Sequence, residues 1–404
     1  MNYKNNNFFI EKIKAENLIR KYGSPIYCYS YKRLIENINN FKNSFKSFDP
    51  LICFSVKSNY NSTILKIIKN NGLGADVVSD GELKKVLSLG FKPSKIVYSG
   101  VGKKFEEIKF AINKNILLIN VESESELKII EKLAKKSKKK VNVGLRLNPN
   151  IDAKTNTKIS TGRTQDKFGL NRTEIIKILN KFNRSKNIKF KCLSVHIGSQ
   201  ITQNKPYDNV LISINRILSK TKHKFEYIDL GGGMGIKYSK ENKNLDYLKL
   251  SKNIYKFVKK NNCKIIFEPG RSIVGNTAVL LTKIIYIKKS LNKKFVIIDA
   301  GMNDLIRPAL YNAKHDIIPL IKRQSKNSGS HDFVGPICET SDRFLRTNNY
   351  QNLNEGDNLA IRDVGAYGIV LTSNYNLRPR PLEIIINNSN IKKISKKQSL
   401  NDLI

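Results

Sequence analysis

The chain has 404 residues, 40% of them hydrophobic, and a formal net charge of +40. This length exceeds that of a typical single domain, so we expect two domains. No apolar run approaches the roughly 20 residues of a membrane span, and the polar segment Met1–Glu11 lacks the apolar core of a signal peptide, which together predict a cytoplasmic protein without membrane association.

The positive charge by itself does not predict nucleic-acid binding. Only 15 of the 73 basic residues are Arg, and the remainder are Lys spread along the whole sequence. Nucleic-acid sites favour Arg and aromatic side chains clustered on one face, and the sequence contains no such cluster. Five scattered cysteines, none in a C-x-x-C pair, predict reduced thiols. We therefore expect no specific nucleic-acid partner and no metal.

Residues 50–270 alternate between short β-branched runs and longer amphipathic stretches. Eight runs have the character of strands: Leu51–Val56, Ala75–Val78, Lys95–Ser99, Leu117–Val121, Val141–Leu147, Leu193–Ile197, Tyr227–Leu230 and Lys264–Phe267. Helical patterns between them include Ser62–Asn70, Gly81–Leu89, Lys104–Asn113, Ser123–Lys136, Arg172–Asn180 and Tyr247–Lys260. This alternation predicts an α/β fold, namely a closed (β/α)8 TIM barrel, with an open doubly wound sheet as the alternative.

Polar and glycine residues repeatedly follow the predicted strands, which favours the barrel. They are Lys57, Asp76, Arg146, His196, Gly231–Gly233 and Glu268. Active sites of such barrels gather at the carboxyl ends of the strands, so one pocket can collect all of them.

The pattern changes after Ile273. Short alternating segments appear there, namely Val279–Ile287, Lys294–Asp299, Asn358–Ile361 and Leu382–Ile386. They predict a second, mostly β domain. We assign residues 26–275 to the barrel and residues 1–25 and 276–404 to the mostly β domain, in which Lys322–Ser330 has the composition of a surface loop.

Lys57 stands at the end of the first predicted barrel strand. A lysine within an apolar strand is costly unless it is paired or used covalently, and a desolvated lysine is a good Schiff-base nucleophile. The alternative is a strand-end lysine that reaches solvent.

The run Gly231–Gly233 follows the seventh predicted strand. Consecutive glycines let backbone N–H groups approach a phosphate, and barrels commonly bind phosphate after this strand. The order of the glycines does not match the dinucleotide fingerprint. A tight loop without a ligand is the alternative.

Glu268 ends the eighth predicted strand and is followed by Pro269, Gly270 and Arg271. A carboxylate at this position can hydrogen-bond a protonated ring nitrogen, which makes the ring a strong electron sink. An ordinary Glu–Arg ion pair at a turn is the alternative.

His196 ends the sixth predicted strand, and Ser199 follows three residues later. A neutral imidazole can stack on a planar cofactor, and the hydroxyl can bind its phosphate. A structural core histidine is the alternative, whereas metal binding lacks a second ligand at suitable spacing.

Together these segments resemble the fold-type III pyridoxal-phosphate enzymes, which have an alanine racemase-like barrel, and above all the diaminopimelate decarboxylase family. The resemblance covers roughly residues 20–383. Matching segments in the barrel are Ser55–Asn59, Ala75–Ser79, Lys167–Gly169, His196–Ser199, Gly231–Gly233 and Glu268–Arg271. In the second domain they are Asp304–Tyr311, Gly335–Glu339, Gly365–Tyr367 and Tyr375–Pro381.

The resemblance implies a role for each matching residue. Lys57 would bind pyridoxal 5'-phosphate as a Schiff base, His196 would stack on its ring, and Glu268 would hold the proton of its ring nitrogen. The other cofactor-binding residues would be Ser199, Gly232, Gly233, Pro269, Gly270, Arg271 and Tyr367. Substrate would be bound by Arg271, Arg307, Tyr311, Glu339 and Tyr367. Cys338, the fourth expected catalytic residue, would protonate or shield the carbanion, reaching in from a second subunit.

The resemblance further implies decarboxylation of meso-2,6-diaminopimelate to L-lysine and carbon dioxide, the last step of lysine biosynthesis, by a homodimer with shared active sites. Arg271 and Arg307 suit the distal carboxylate of that substrate, and Glu339 suits its distal ammonium. If Arg307 and Tyr311 instead only decorate a helix surface, this assignment loses support.

Other activities remain open from the sequence. A related decarboxylase could act on ornithine, arginine or carboxynorspermidine, although an ornithine-type substrate lacks the distal carboxylate. An alanine racemase-type enzyme implies Arg where this chain has Glu268. A noncatalytic cofactor-binding protein would be a single barrel, without a second domain or Cys338.

Overall fold

The computed structural model describes residues 1–153, 155–238, 245–291, 293–324 and 329–404. Residues 325–328 of the predicted loop Lys322–Ser330 lie outside these ranges. The described residues form two compact units. One, the barrel unit, comprises residues 38–236 and 245–272, and the other, the β unit, comprises residues 1–37, 237–238 and 273–404.

The barrel unit is a closed barrel of eight parallel strands. In chain order they are Leu51–Ser55, Gly74–Val77, Ile96–Tyr98, Leu118–Val121, Val141–Leu147, Ile188–Val195, Tyr227–Asp229 and Lys264–Phe267. Each strand pairs with the next along the chain, and the eighth closes on the first through Ile266 opposite Leu51. The predicted (β/α)8 barrel is confirmed, and the open-sheet alternative is wrong.

Helices follow the strands because their first turns are capped and their apolar faces are buried. The described helices of this unit include Ser62–Asn70, Asp80–Ser88, Phe105–Asn113, Glu124–Lys136, Arg172–Lys181, Lys205–Thr221 and Tyr247–Asn261. The Ser79 and Ser123 hydroxyls accept hydrogen bonds from backbone N–H groups of the first turns that follow them. In the helix Glu124–Lys136, Leu127, Ile130 and Leu133 face the interior at helical spacing.

The β unit contains a small antiparallel sheet and a larger mixed sheet. The small sheet is Asn2–Lys4, Asn7–Ile10 and Ile13–Lys14. The larger sheet contains Ile26–Ser30, Ala278–Ser290, Lys293–Ile298, Ile317–Pro319, Ser330–Val334, Arg343–Asn348, Asn358–Ile361, Leu382–Asn387 and Asn390–Lys393. Shorter helices are Ala15–Tyr22 and Arg307–Tyr311, while Tyr31–Ser44 and Arg271–Val274 span the boundaries between the units. The predicted mostly β character is confirmed.

Both ends of the chain contribute to the core of the β unit. Phe8 and Leu18 pack in one cluster with Val279 and with Leu382 and Ile384, all of them buried. Ile26–Ser30 pairs with Ala278–Ser290 and with Leu382–Asn387, so it belongs to this unit. The sequence prediction had assigned it to the barrel, because a short, fully buried apolar strand looks alike in either environment.

None of the helices in the described ranges combines the length and apolar character needed to cross a bilayer. The same residues bring together no group of three His, Cys, Asp or Glu side chains that could hold a metal ion.

Candidate active site

The predicted cofactor residues of the barrel unit lie at the carboxyl ends of four neighbouring strands. The sixth, seventh, eighth and first strands follow one another around the barrel. They end next to His196, Gly231, Glu268 and Lys57. Because parallel strands end at the same rim, these side chains and glycines share one face of the barrel.

Lys57 lies in the short turn Val56–Ser58 that follows the first strand. Its Nζ is 3.2 Å from Oδ2 of Asp76, a fully buried carboxylate that also accepts a hydrogen bond of 2.8 Å from the Ser55 hydroxyl. The Lys57 side chain is 37% exposed. A buried carboxylate therefore directs this amine, which remains accessible to a ligand at the rim.

Glu268 is a buried acid that faces a second buried acid. Burial, and then the negative charge of Asp229, raises the pKa of Glu268 well above its usual value. Burial also raises the pKa of Asp229 to about 6, although its carboxylate accepts hydrogen bonds from the Gly231 N–H at 2.8 Å and the Ser194 hydroxyl at 3.0 Å. Among the described residues, Oε1 of Glu268 has no hydrogen-bond partner. This oxygen fits the protonated nitrogen of a ring.

His196 is held as a neutral imidazole. Its Nδ1 accepts a hydrogen bond of 3.2 Å from the backbone N–H of Gly232, so that nitrogen carries no proton. Burial, followed by the positive charges of Lys57 and Arg146, lowers the pKa of His196 well below its usual value. A neutral, oriented ring of this kind is suited to stack against a planar cofactor.

The glycine run packs directly against neighbouring backbone. Gly233 has a φ of +87°, which side-chain-bearing residues rarely adopt. A Cβ at Gly232 would overlap the carbonyl oxygen of Glu268, and one at Gly233 would overlap the carbonyl oxygen of Gly198. A Cβ at Gly270 would come within 2.8 Å of the Ser58 hydroxyl. The glycines therefore let the backbone after the sixth, seventh and eighth strands pack closely at the rim where the sequence predicts the phosphate.

Arg271 and Pro269 complete the rim beside the glycines. The Arg271 guanidinium donates a hydrogen bond of 3.0 Å to the Ser199 hydroxyl, which brings two predicted phosphate-binding residues together. The carbonyl oxygen of Pro269 accepts from the Ser55 N–H at 3.0 Å and so ties the eighth strand end to the first. The amine, the buried acid and the guanidinium of the barrel unit therefore fit pyridoxal 5'-phosphate by charge.

Two buried charges at this rim have no role in the sequence prediction, which places Arg146 in the common pocket without an assignment and does not name Asp229. Asp229 contacts Glu268, and Arg146 forms an ion pair of 2.6 Å with Glu122 while lowering the pKa of His196 through its charge. Each is a charged residue within an apolar strand, and that local anomaly could have identified it.

In the β unit, Arg307 is buried rather than exposed on a helix surface. Its guanidinium lies 2.7 Å from Nε2 of His315 and 5.0 Å from the ring centre of Tyr238. Tyr311 follows one turn later and is half-buried. The alternative that Arg307 only decorates a surface is therefore wrong.

Cys338 and Glu339 are exposed neighbours in a turn of the β unit. The other four cysteines are buried, and burial raises the pKa of each thiol, that of Cys263 to about 11. Tyr367, also in this unit, is half-buried with a φ of +56°, an uncommon backbone conformation for a residue other than glycine. The roles assigned to these residues stay predictions.

Comparison with known proteins identifies the family. A family model described as pyridoxal-dependent decarboxylase, pyridoxal binding domain, matches residues 31–275. Diaminopimelate decarboxylase from Helicobacter pylori is 41% identical over 393 residues, covering 96% of each chain. The Aquifex aeolicus enzyme of that name is 38% identical over 410 aligned positions, covering 100% of this chain and 96% of the relative.

A solved structure extends the similarity to three dimensions. The crystal structure of the Helicobacter pylori enzyme complexed with L-lysine matches with a TM-score of 0.91 at 38% identity, covering 96% of this chain and 98% of that one. The barrel and its rim thus define a pyridoxal-dependent decarboxylase. More narrowly, the chain belongs to the diaminopimelate decarboxylase family.

Gly232→Ala is expected to weaken binding of pyridoxal phosphate at least tenfold. The added methyl group would displace the carbonyl of Glu268 and with it the glycine cradle. A titration of the apoprotein with the cofactor, followed by absorbance, measures the dissociation constant. Gly102→Ala is the matched control because its Cβ would meet no atom within 4 Å. Equal affinities of the two variants would contradict the cradle.

Proposed function

We propose that this protein decarboxylates meso-2,6-diaminopimelate to L-lysine and carbon dioxide with pyridoxal 5'-phosphate, the last step of lysine biosynthesis. The observation that carries the proposal is full-length similarity to enzymes of that name, including one complexed with L-lysine. The lysine, the buried acid and the glycine cradle at one barrel rim supply the groups that such a reaction requires.

The bound cofactor supplies the electron sink for the electron pair left when carbon dioxide departs. Lys57 provides the amine that binds it covalently, and Asp76 directs that amine. Burial and the negative charge of Asp229 raise the pKa of Glu268 and so favour its protonated form, and Oε1 would accept a hydrogen bond from the ring nitrogen once that nitrogen has taken up the proton. His196 would stack on the ring as a neutral group and would add no positive charge that lowers the pKa of Glu268.

Substrate recognition is assigned mainly to the β unit. Arg307 is preorganised by its contacts with His315 and Tyr238, and a guanidinium held in this way suits bidentate binding of the distal carboxylate. Arg271, Tyr311 and Tyr367 assist, and Glu339 accepts the distal ammonium. Cys338 delivers a proton from Sγ to the carbon that has lost carbon dioxide.

We further propose a cytoplasmic homodimer in which Cys338 and Glu339 complete the active site of the partner subunit. Their exposure in the single chain supports a role at a subunit interface. The four buried free thiols fit a reducing compartment.

Lys57→Ala is expected to lose covalent attachment of the cofactor and decarboxylation together. Borohydride reduction of the wild-type holoenzyme, followed by peptide mass spectrometry, should add the cofactor mass at Lys57 only. Lys84→Ala, at an exposed helix position, is the control and should label normally. Labelling of the Lys57→Ala protein at full stoichiometry would refute the assignment.

Arg307→Lys is expected to raise KM for diaminopimelate about tenfold or more, since lysine keeps the charge but loses the planar fork. Wild-type enzyme should release carbon dioxide from diaminopimelate far faster than from ornithine. The ratio of these two rates should be smaller in the variant. Arg33→Lys, in an exposed ion pair with Glu36, is the control. Preferential turnover of ornithine by the wild type would favour the rival decarboxylase.

Mixed dimers test the shared site. Cys338→Ala and Lys57→Ala homodimers should each be nearly inactive, whereas random mixing should restore about a quarter of wild-type activity, since half the dimers then hold one intact site. Carbon dioxide release after subunit exchange measures the recovery. No recovery, with exchange verified by differently tagged subunits, would argue that each chain forms its own complete site.

A further inference from the structure

The turn that carries Glu339 is fixed from inside the β unit. Asp342 is buried, and its carboxylate accepts hydrogen bonds from the N–H groups of Ile337 at 2.8 Å and Met302 at 2.7 Å. The Glu339 N–H donates to the Ile337 carbonyl at 2.7 Å. The backbone below Glu339 is therefore rigid, although the side chain itself is exposed.

Two neutral hydroxyl groups hold the Glu339 carboxylate. The Tyr375 hydroxyl donates to Oε1 at 2.7 Å, and the Ser341 hydroxyl donates to Oε2 at 2.9 Å. An exposed glutamate normally samples many rotamers, so hydrogen bonds to both oxygens restrict it strongly. The bond from Tyr375, and then that from Ser341, lowers the pKa of Glu339 and keeps the carboxylate charged.

Tyr375 is itself held in an unusual turn. The next two residues, Asn376 and Leu377, have φ values of +55° and +53°. Side-chain-bearing residues rarely adopt this conformation, and it persists where surrounding contacts enforce it. The Asn374 amide supplies such a contact by donating to the Arg378 carbonyl at 2.9 Å. The turn thus fixes the position from which the tyrosine hydroxyl reaches Glu339.

The charges around Glu339 also indicate that its carboxylate can bind a cationic ligand. The chain has 73 basic and 33 acidic residues, so cations that could pair with a surface glutamate are abundant. Yet within the described ranges, the partners that stabilise the charged form of Glu339 are only the two hydroxyls. Neutral donors orient a carboxylate without cancelling its charge, which leaves that charge for a cationic ligand.

We propose that Tyr375 and Ser341 are positioning residues that orient Glu339 to select substrates with a distal ammonium group. This inference rests on the proposed function, in which Glu339 binds that ammonium. The turn that carries Tyr375 would then contribute to substrate specificity. Discrimination between substrates with and without a distal ammonium group would depend on the hydroxyl of this tyrosine.

Tyr375→Phe removes that hydroxyl alone. We expect KM for diaminopimelate to rise about five- to tenfold with kcat within about twofold, because one hydrogen bond to a charged group is lost. The inhibition constant of L-lysine should rise by the same factor. For 2-aminopimelate, which has both carboxylates but no distal ammonium, kcat/KM should stay within about twofold of wild type. Carbon dioxide release by the dimeric holoenzyme measures all three.

Ser341→Ala should act in the same direction, and Tyr375→Phe should add nothing to Glu339→Gln if the tyrosine works through that carboxylate. Tyr286→Phe, at a strand position that is 62% exposed, is the matched control and should change nothing. Equal losses for both substrates, or no loss for either, would overturn the positioning role. Failure of the wild-type enzyme to decarboxylate diaminopimelate would overturn the proposed function instead.

Discussion

Burying acids that are not all paired with cations is the constraint on which the barrel rim depends. Asp76, Asp229 and Glu268 all lie in its interior, and transferring a carboxylate out of water is costly unless it gains a proton or a positive partner. Lys57 compensates Asp76, whereas Glu268 and Asp229 repel each other, so the protonated form of Glu268 is favoured. A protonated ring nitrogen would supply the positive partner that these buried acids lack. The negative potential that favours such a ring is therefore present before a ligand binds.

The charge state of His196 affects the neighbouring acid Glu268 at the same rim. A cation at this rim would lower the pKa of Glu268 and so favour loss of its proton, whereas burial keeps the imidazole of His196 uncharged. The N–H of Gly232 enforces this by occupying Nδ1. The glycine therefore serves twice, since its N–H sets the histidine tautomer while its missing side chain leaves room for the carbonyl of Glu268. The backbone conformation at Gly232 therefore also determines which nitrogen of His196 carries the proton.

Much of this architecture could be predicted from the sequence, since the eight strands and the residues after them follow local patterns of alternating apolar and polar character. What could not be predicted depends on contacts between distant segments. Ile26–Ser30 resembles a barrel strand until its partners Ala278–Ser290 and Leu382–Asn387 are known. The burial of Arg307 depends on Tyr238 and His315, and the orientation of Glu339 depends on a tyrosine 36 residues away.

The position of Ile26–Ser30 between strands from the middle and the end of the chain also bears on biosynthesis. This strand leaves the ribosome early, but one of its neighbours is made about 350 residues later, a delay of tens of seconds at ordinary rates of translation. The barrel segment can collapse during that interval, while this apolar strand still lacks at least one of its two neighbours. Chaperone binding to the nascent chain would therefore depend on this one five-residue segment.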